Sequence, residues 1–175
     1  MEFKAETKKL LDIVAKSIYT DKEVFVRELL SNCSDALEKQ RYAEISGTAG
    51  SSGDLYINVQ TNDKEKTLTI FDTGIGMSKE QIIENLGTIA KSGSREFRDL
   101  IDQDVESPDS SAAESIIGQF GVGFYSAFIV SDYVEVFSKP TSGEPGIKWS
   151  STGDGEYEIS EANDLDFERG TKIVL

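Results

Sequence analysis

Asp72 closes the apolar stretch TLTIFD and is followed by two glycines in DTGIGM, Gly74 and Gly76. An ionised carboxylate only accepts hydrogen bonds. Held rigidly at a strand end it can take an exocyclic N–H of a flat base such as adenine. The glycines would let that base lie against backbone, and Met77 would add a soft wall. Asp and Gly also favour turns for their own sake, so a plain turn is the competing reading. A second set lies in residues 21–43. Glu28, Asn32, Asp35 and Lys39 fall at i, i+4, i+7 and i+11, a narrow polar stripe on a helix. It borders an apolar face of Phe25, Leu29, Cys33, Ala36 and Leu37. Such a stripe is either a solvated face with i,i+4 pairs or the edge of a cleft for a polyvalent ligand. The third set is IIGQFGVGFYSAF, with Gly118, Gly121 and Gly123 just before a helical stretch. Bare backbone ahead of a helix suits phosphate held by amide N–H groups. The order G-x-x-G-x-G is neither a P-loop nor the dinucleotide fingerprint.

These residues need elements to position them. Residues 5–19 read as a helix with an apolar stripe through Leu10, Leu11, Val14 and Ile18. Thr20 or Asp21 is expected to cap the next helix, with Glu23 completing a capping box, and that helix is expected to run to about Ala43. A Gly/Ser-rich loop follows. LYINVQ (55–60) and TLTIFD (67–72) read as a hairpin, and residues 78–90 as a helix capped by Ser78. Residues 95–102 suggest a short helix and 103–115 an acidic, polar loop. A helix over about 122–130 precedes strands near 133–138, 147–151, 156–160 and 171–175. Helices first and strands mostly later predict an α+β sandwich rather than a βαβ repeat.

Composition narrows the chemistry. The 175 residues suit one domain, with 38% hydrophobic and 29% charged residues. There is no histidine, which excludes His-based triads and most zinc sites, and the single Cys33 excludes an internal disulfide. A net charge of −14 without a basic patch argues against nucleic acid as a partner. No apolar run reaches the length of a membrane span. The chain enters a helical pattern at MEFKAETKKLLDIV with no visible targeting segment, which leaves the compartment open.

Four pieces occur in one order: ELLSNCSDALEK (28–39), DTGIGM (72–77), NLGTIAKSGS (85–94) and IGQFGVGFYSAF (117–128), with RGTKI (169–173) behind them. Together they resemble the GHKL ATPase superfamily, and within it the ninety-kilodalton heat-shock chaperone family. ETKKLLDIVAKSIYTDKEVFVRELLSN and FYSAFIVSDYVEVFSK look most like its mitochondrial, tumour-necrosis-factor-receptor-associated branch. The resemblance covers essentially the whole chain. It implies an N-terminal ATP-binding domain over 1–175 with the Bergerat fold, a two-layer sandwich in which helices cover one face of a mixed, mainly antiparallel sheet.

Carried over residue by residue, the resemblance makes Asp72 the adenine-reading carboxylate and Thr171 its water-bridged helper. Asn32 would hold Mg²⁺ through its amide oxygen, and Glu28 would be the general base for the attacking water. Asp35, Lys39, Asn85, Lys91, Ser92 and Phe124 would surround ribose and phosphates. Ala36, Gly76, Met77 and Leu86 would line the base pocket. Gly118, Gln119, Phe120, Gly121, Val122 and Gly123 would present amides to the phosphates of ATP or ADP. Residues from Gly87 to about Gly118 would form a lid. The resemblance also implies client proteins, cochaperones and a homodimer for the full-length protein, in mitochondria or alternatively the cytoplasm. The chain stops at TKIVL, inside a predicted strand, so a fragment is expected, monomeric and slow in hydrolysis. Cys33 departs from the alanine usual in the family, either as a small space-filler or as a redox or alkylation handle. Residues 103–115 look longer than the matching segment of cytosolic relatives. Two rivals remain: another GHKL enzyme such as a histidine kinase or gyrase-type domain, and a non-enzymatic acidic interaction module.

Overall fold

The structure, a computed structural model, describes residues 23–50, 53–87, 123–154 and 156–175. The predicted helices at 5–19 and 95–102, the acidic loop 103–115 and almost all of the expected lid lie outside these residues.

Helix α1 spans Val24–Ile45. Its apolar face is the one the periodicity predicts: Leu29 and Cys33 are buried, and Phe25, Ala36 and Leu37 are half-buried. Its start differs from expectation. Glu23 itself occupies the N-cap position and makes no side-chain cap hydrogen bond. It therefore cannot be the third helical residue of a box opened by Thr20. Its carbonyl instead accepts from the N–H groups of Val26 and Arg27. The helix also ends two residues later than expected. The Ala43 carbonyl collects the N–H of Thr48 and Ala49 and the hydroxyls of Ser46 and Thr48. Gly47, at φ +72°, lets the chain turn away there.

Strands β1 (Ile57–Asn62) and β2 (Thr67–Asp72) pair antiparallel as the expected hairpin. Asn62 Oδ1 organises the turn by accepting from the N–H of Lys64 and Glu65. Helix α2 covers Lys79–Gly87. Ser78 caps it as predicted, in a reciprocal box: Gln81 N–H donates to Ser78 Oγ at 3.3 Å, and Ser78 N–H donates to Gln81 Oε1 at 2.9 Å. The predicted helix near 122–130 is a 3-10 helix over Gly123–Ile129. The Ser126 hydroxyl takes the Gly123 carbonyl three residues back, which suits the tighter winding.

Strands β3 (Val134–Lys139), β4 (Ile147–Ser151), β5 (Tyr157–Glu161) and β6 (Gly170–Val174) complete a six-stranded sheet of order β1-β2-β6-β3-β4-β5. Every pairing among the described residues is antiparallel. The last strand in sequence thus inserts at the centre, between β2 and β3. Alternation puts Ile70, Ile173, Val134, Val136 and Trp149 on the face toward the helices, all buried. They form one core with Leu29, Cys33, Ile82, Leu86 and the rings of Phe124 and Tyr125. The opposite face carries a ladder of rings and cations: Lys148 and Lys172 each lie 5.4 Å from the Phe137 ring, and Phe71 packs on Phe167. Among the described residues no helix is long and apolar enough to cross a membrane.

Candidate functional site

The DTGIGM turn is pinned from several sides. Thr73 donates its N–H to the Tyr56 carbonyl, and its hydroxyl donates to the Asp54 carbonyl at 2.8 Å. Arg169 Nε donates to the Thr73 carbonyl at 3.1 Å. Ile75 N–H donates to the Ala36 carbonyl of α1 at 3.1 Å, and Thr141 N–H reaches the Ile75 carbonyl at 2.9 Å. The two glycines answer this crowding. A Cβ on Gly74 would stand 2.6 Å from Ala36 Cβ and 2.7 Å from Asp72 Oδ1. Gly76, at φ +67°, leaves no room for a Cβ against the Lys139 carbonyl. Both therefore serve close backbone packing of the turn onto α1 and β3, a role the sequence did not distinguish from admitting a base.

Asp72 is only 2% exposed, at the end of β2 and in register with Thr171 on β6. Its Oδ1 accepts the Gly74 N–H at 2.8 Å. The nearby Cys33 thiol and Thr171 N–H also favour the charged carboxylate. Burial outweighs these donors and pushes the carboxyl up to about 6. The Cys33 thiol is pushed up to about 12, by burial first and then by the neighbouring Asp72 charge. It is thus no ready nucleophile.

Ser138 is the site residue that sequence reasoning missed. It is fully buried on β3. Its hydroxyl shares a hydrogen with Thr171 Oγ1 at 2.8 Å, donates to the Gly170 carbonyl at 3.2 Å and accepts the Met77 N–H at 2.9 Å. One hydroxyl thereby joins the predicted wall residue Met77 to Thr171, the predicted helper of Asp72. The available signal was its place two residues after Val136 on the inward face of a strand.

The predicted residues converge around this carboxylate in part. Asp72, Thr171, Met77, Gly76 and Ala36 come together through the contacts above. Asn85 Nδ2 reaches Met77 Sδ at 3.7 Å, and Leu86 is buried on the inner face of α2. Glu28 is half-buried and packs against Gly123, where a Cβ would collide with Glu28 Oε2. Asn32, Asp35 and Lys39 are exposed along the neighbouring edge of α1, so the polar stripe does border the apolar face. The Phe124 ring is committed to the core, edge-on to Tyr125, Phe128 and Trp149. Lys91, Ser92, Gly118, Gln119, Phe120, Gly121 and Val122 lie outside the described residues. A groove of about 520 Å³ lined by Tyr56, Phe71, Phe167 and Lys172 sits on the opposite face of the sheet and is not this site.

The arrangement is one buried acceptor-only group under a pinned turn, flanked by an amide and carboxylates on a helix edge. The sequence of the chain matches a family model described as histidine kinase-, DNA gyrase B- and HSP90-like ATPase over residues 19–165. The chain belongs to that family. Within it, this HSP90-like ATPase domain is 52% identical over 175 residues to the mitochondrial heat shock protein 75 kDa of Rattus norvegicus, covering 99% of this chain and 24% of the relative. The Bos taurus protein of the same name matches equally over the same shares. The chaperone protein HtpG of Coxiella burnetii is 48% identical over 179 residues, covering all of this chain and 27% of the relative. The chain therefore spans about a quarter of the length of these relatives.

Mg²⁺ fits the donor set at the α1 edge. Among the described residues no group of three or more His, Cys, Asp or Glu side chains gathers to hold a metal alone. Mg²⁺ keeps several waters and takes much of its shell from phosphates, so a single exposed amide oxygen, that of Asn32, is a sufficient protein ligand.

Proposed function

We propose that this domain binds ATP and ADP through Asp72 and, within a longer chaperone, hydrolyses ATP to drive remodelling of client proteins. The observation that carries the proposal is the Asp72 carboxylate, buried to 2% exposure, accepting the Gly74 N–H and paired with no cation among the described residues. A fold keeps a buried carboxylate without a counter-charge at a cost, and an amino group of a bound base gives it a partner. Thr171, held by Ser138, stands beside it to carry a bridging water. Glu28 is the general base that takes a proton from the attacking water. Asn32 holds Mg²⁺, which when bound neutralises phosphate charge. Asp35, Lys39, Asn85 and Lys91 meet ribose and phosphates, and the amides from Gly118 to Gly123 meet the phosphate oxygens.

The domain as given, residues 1–175 with a lid over about 87–118, hydrolyses slowly by itself, because phosphoryl transfer commonly draws on an added arginine. The longer protein is a homodimer that works with cochaperones, whereas this chain stays monomeric. A mitochondrial location is supported by the names of two relatives. Titration calorimetry of the purified chain with Mg–ATP and with ADP tests the core of the proposal. Saturable binding that Asp72→Asn removes from a folded protein is expected. Absence of binding, or undiminished binding by that variant, overturns it.

A further inference from the structure

The Gly74 N–H and the Thr73 carbonyl belong to one peptide unit. The N–H donates to Asp72 Oδ1 at 2.8 Å, and the carbonyl accepts from Arg169 Nε at 3.1 Å. No peptide among the described residues is cis, so this unit is planar and its N–H and C=O point opposite ways. Fixing the oxygen on Arg169 therefore aims the N–H at the carboxylate. The units on either side have other anchors: Thr73 N–H meets the Tyr56 carbonyl, and Ile75 N–H meets the Ala36 carbonyl. The unit between them precedes a glycine, the residue type before which a turn peptide flips most readily. A flipped unit would set the Thr73 oxygen toward Asp72, acceptor against acceptor.

Arg169 is placed for this contact by both strand and helix. It is 5% exposed and stands directly before β6, whose first residue, Gly170, packs so closely that a Cβ there would collide with the Asp72 carbonyl. Its guanidinium stays charged in a protein. One terminal nitrogen, Nη2, lies 3.9 Å from Glu44 Oε1 on α1. Gln40, one turn earlier and fully buried, donates from Nε2 to the same Glu44 oxygen at 2.8 Å. A guanidinium carries its donors in a rigid planar fork. Pairing with Glu44 at one end thus sets the direction of Nε at the other. Linked hydrogen bonds polarise one another, so the cation also strengthens the Gly74 donor through the peptide.

We propose that Arg169, steered by Glu44, is a positioning residue of the nucleotide site: it latches the Thr73–Gly74 peptide, whose N–H holds one oxygen of Asp72 and so sets the carboxylate for the base. Its action on the nucleotide runs through that peptide. The proposal rests on the reading of Asp72 as the group that meets the base.

The test joins two measurements on the wild-type chain and on Arg169→Met, which keeps an unbranched side chain without donors or charge. One is amide hydrogen exchange by NMR without nucleotide, and the other is calorimetric titration with ADP. In Arg169→Met the exchange rate of Gly74 relative to that of Ile75, on the next peptide, is expected to rise roughly three- to tenfold, and ADP to bind weaker by a similar factor, the worth of about one hydrogen bond. A merely structural role would speed both amides alike. An unchanged ratio overturns the proposal, whether both amides speed up together or neither does, and so does wild-type affinity for ADP. Asp72→Asn run alongside separates the two readings. If that variant binds ADP like wild type, the adenine assignment fails, and the exchange ratio still reports on the latch. If it loses ADP while Arg169→Met keeps the wild-type ratio and affinity, only the role of Arg169 fails. If Arg169→Met does not fold, Glu44→Gln, which takes the counter-charge from the guanidinium, decides by the same two readings, and a wild-type value in either overturns the proposal.

Discussion

Gly123 packs directly on the carboxylate of Glu28, leaving no room for a Cβ between them. This contact joins the end of the glycine-rich run to the middle of α1 and explains why a residue without a side chain stands there. In Gly123→Ala the methyl must push Glu28 out of position. A misplaced catalytic group costs on the order of 10²-fold. Steady-state turnover of the full-length protein is expected to fall by about that much, with ADP affinity of the isolated domain reduced far less. Wild-type turnover in a folded Gly123→Ala protein would show that Glu28 tolerates displacement and is no general base.

Glu28→Ala isolates the same role without a clash. Loss of a general base typically costs ~10²–10⁴-fold in rate while leaving ground-state binding. The expected pattern is normal calorimetric binding of ATP and nearly lost phosphate release by the full-length protein. Equal losses of binding and turnover would assign Glu28 to nucleotide binding.

Asp72 couples the site to pH. Its carboxyl sits at about 6 in the folded domain against an ordinary 3.8. A raised folded value means that the native state binds the extra proton. Its stabilising contribution is full below about pH 4 and is lost as pH rises through about 6. The total is on the order of 2–3 kcal/mol. Urea unfolding of wild type relative to Asp72→Asn is therefore expected to lose ground between about pH 4 and 6 and to stay level above. A difference independent of pH would mean that Asp72 is not desolvated in the folded state.

Gly76 and Gly47 offer a matched pair. Both have positive φ, +67° and +72°. Gly47 has nothing within 4 Å of a built Cβ, whereas Gly76 faces the Lys139 carbonyl and Pro140. Gly47→Ala is expected to cost about 1 kcal/mol, the intrinsic left-handed penalty. Gly76→Ala adds a backbone collision and is expected to cost at least ~3 kcal/mol, as overpacking adds 1–3 to strain. Thermal melts of the two variants check this; similar melting points would show that the turn moves freely away from β3.

Ser138→Ala removes a hydroxyl that serves the Met77 N–H, the Gly170 carbonyl and Thr171 at once. Buried groups left unsatisfied cost about 1–3 kcal/mol each. Expected are a lower melting temperature and several-fold weaker nucleotide binding, since Thr171 loses its anchor. Unchanged values for both would exclude Ser138 from the site.

What the sequence determined by itself was whatever depends on neighbours a few residues apart. The polar stripe of α1 follows from 100° per residue, the β1–β2 hairpin from two strand-like runs flanking a polar turn, and the start of α2 from Ser78 as its cap. Asp72 stood out because an acid directly before two glycines at a strand end is a local pattern. The roles of Cys33, Ser138 and Phe124 were not local. Cys33 is buried in the shared core with Ile70 of β2 only because α1 packs on the sheet. Ser138 meets Met77 across 61 residues of chain, and Asp72 meets Thr171 only because β6 inserts beside β2 in one particular register. A slip of that register by one residue would turn every side chain of β6 to the other face. Which face Thr171 takes is settled by burying Ile173 two residues on, and that is a property of the assembled core rather than of any short stretch of sequence.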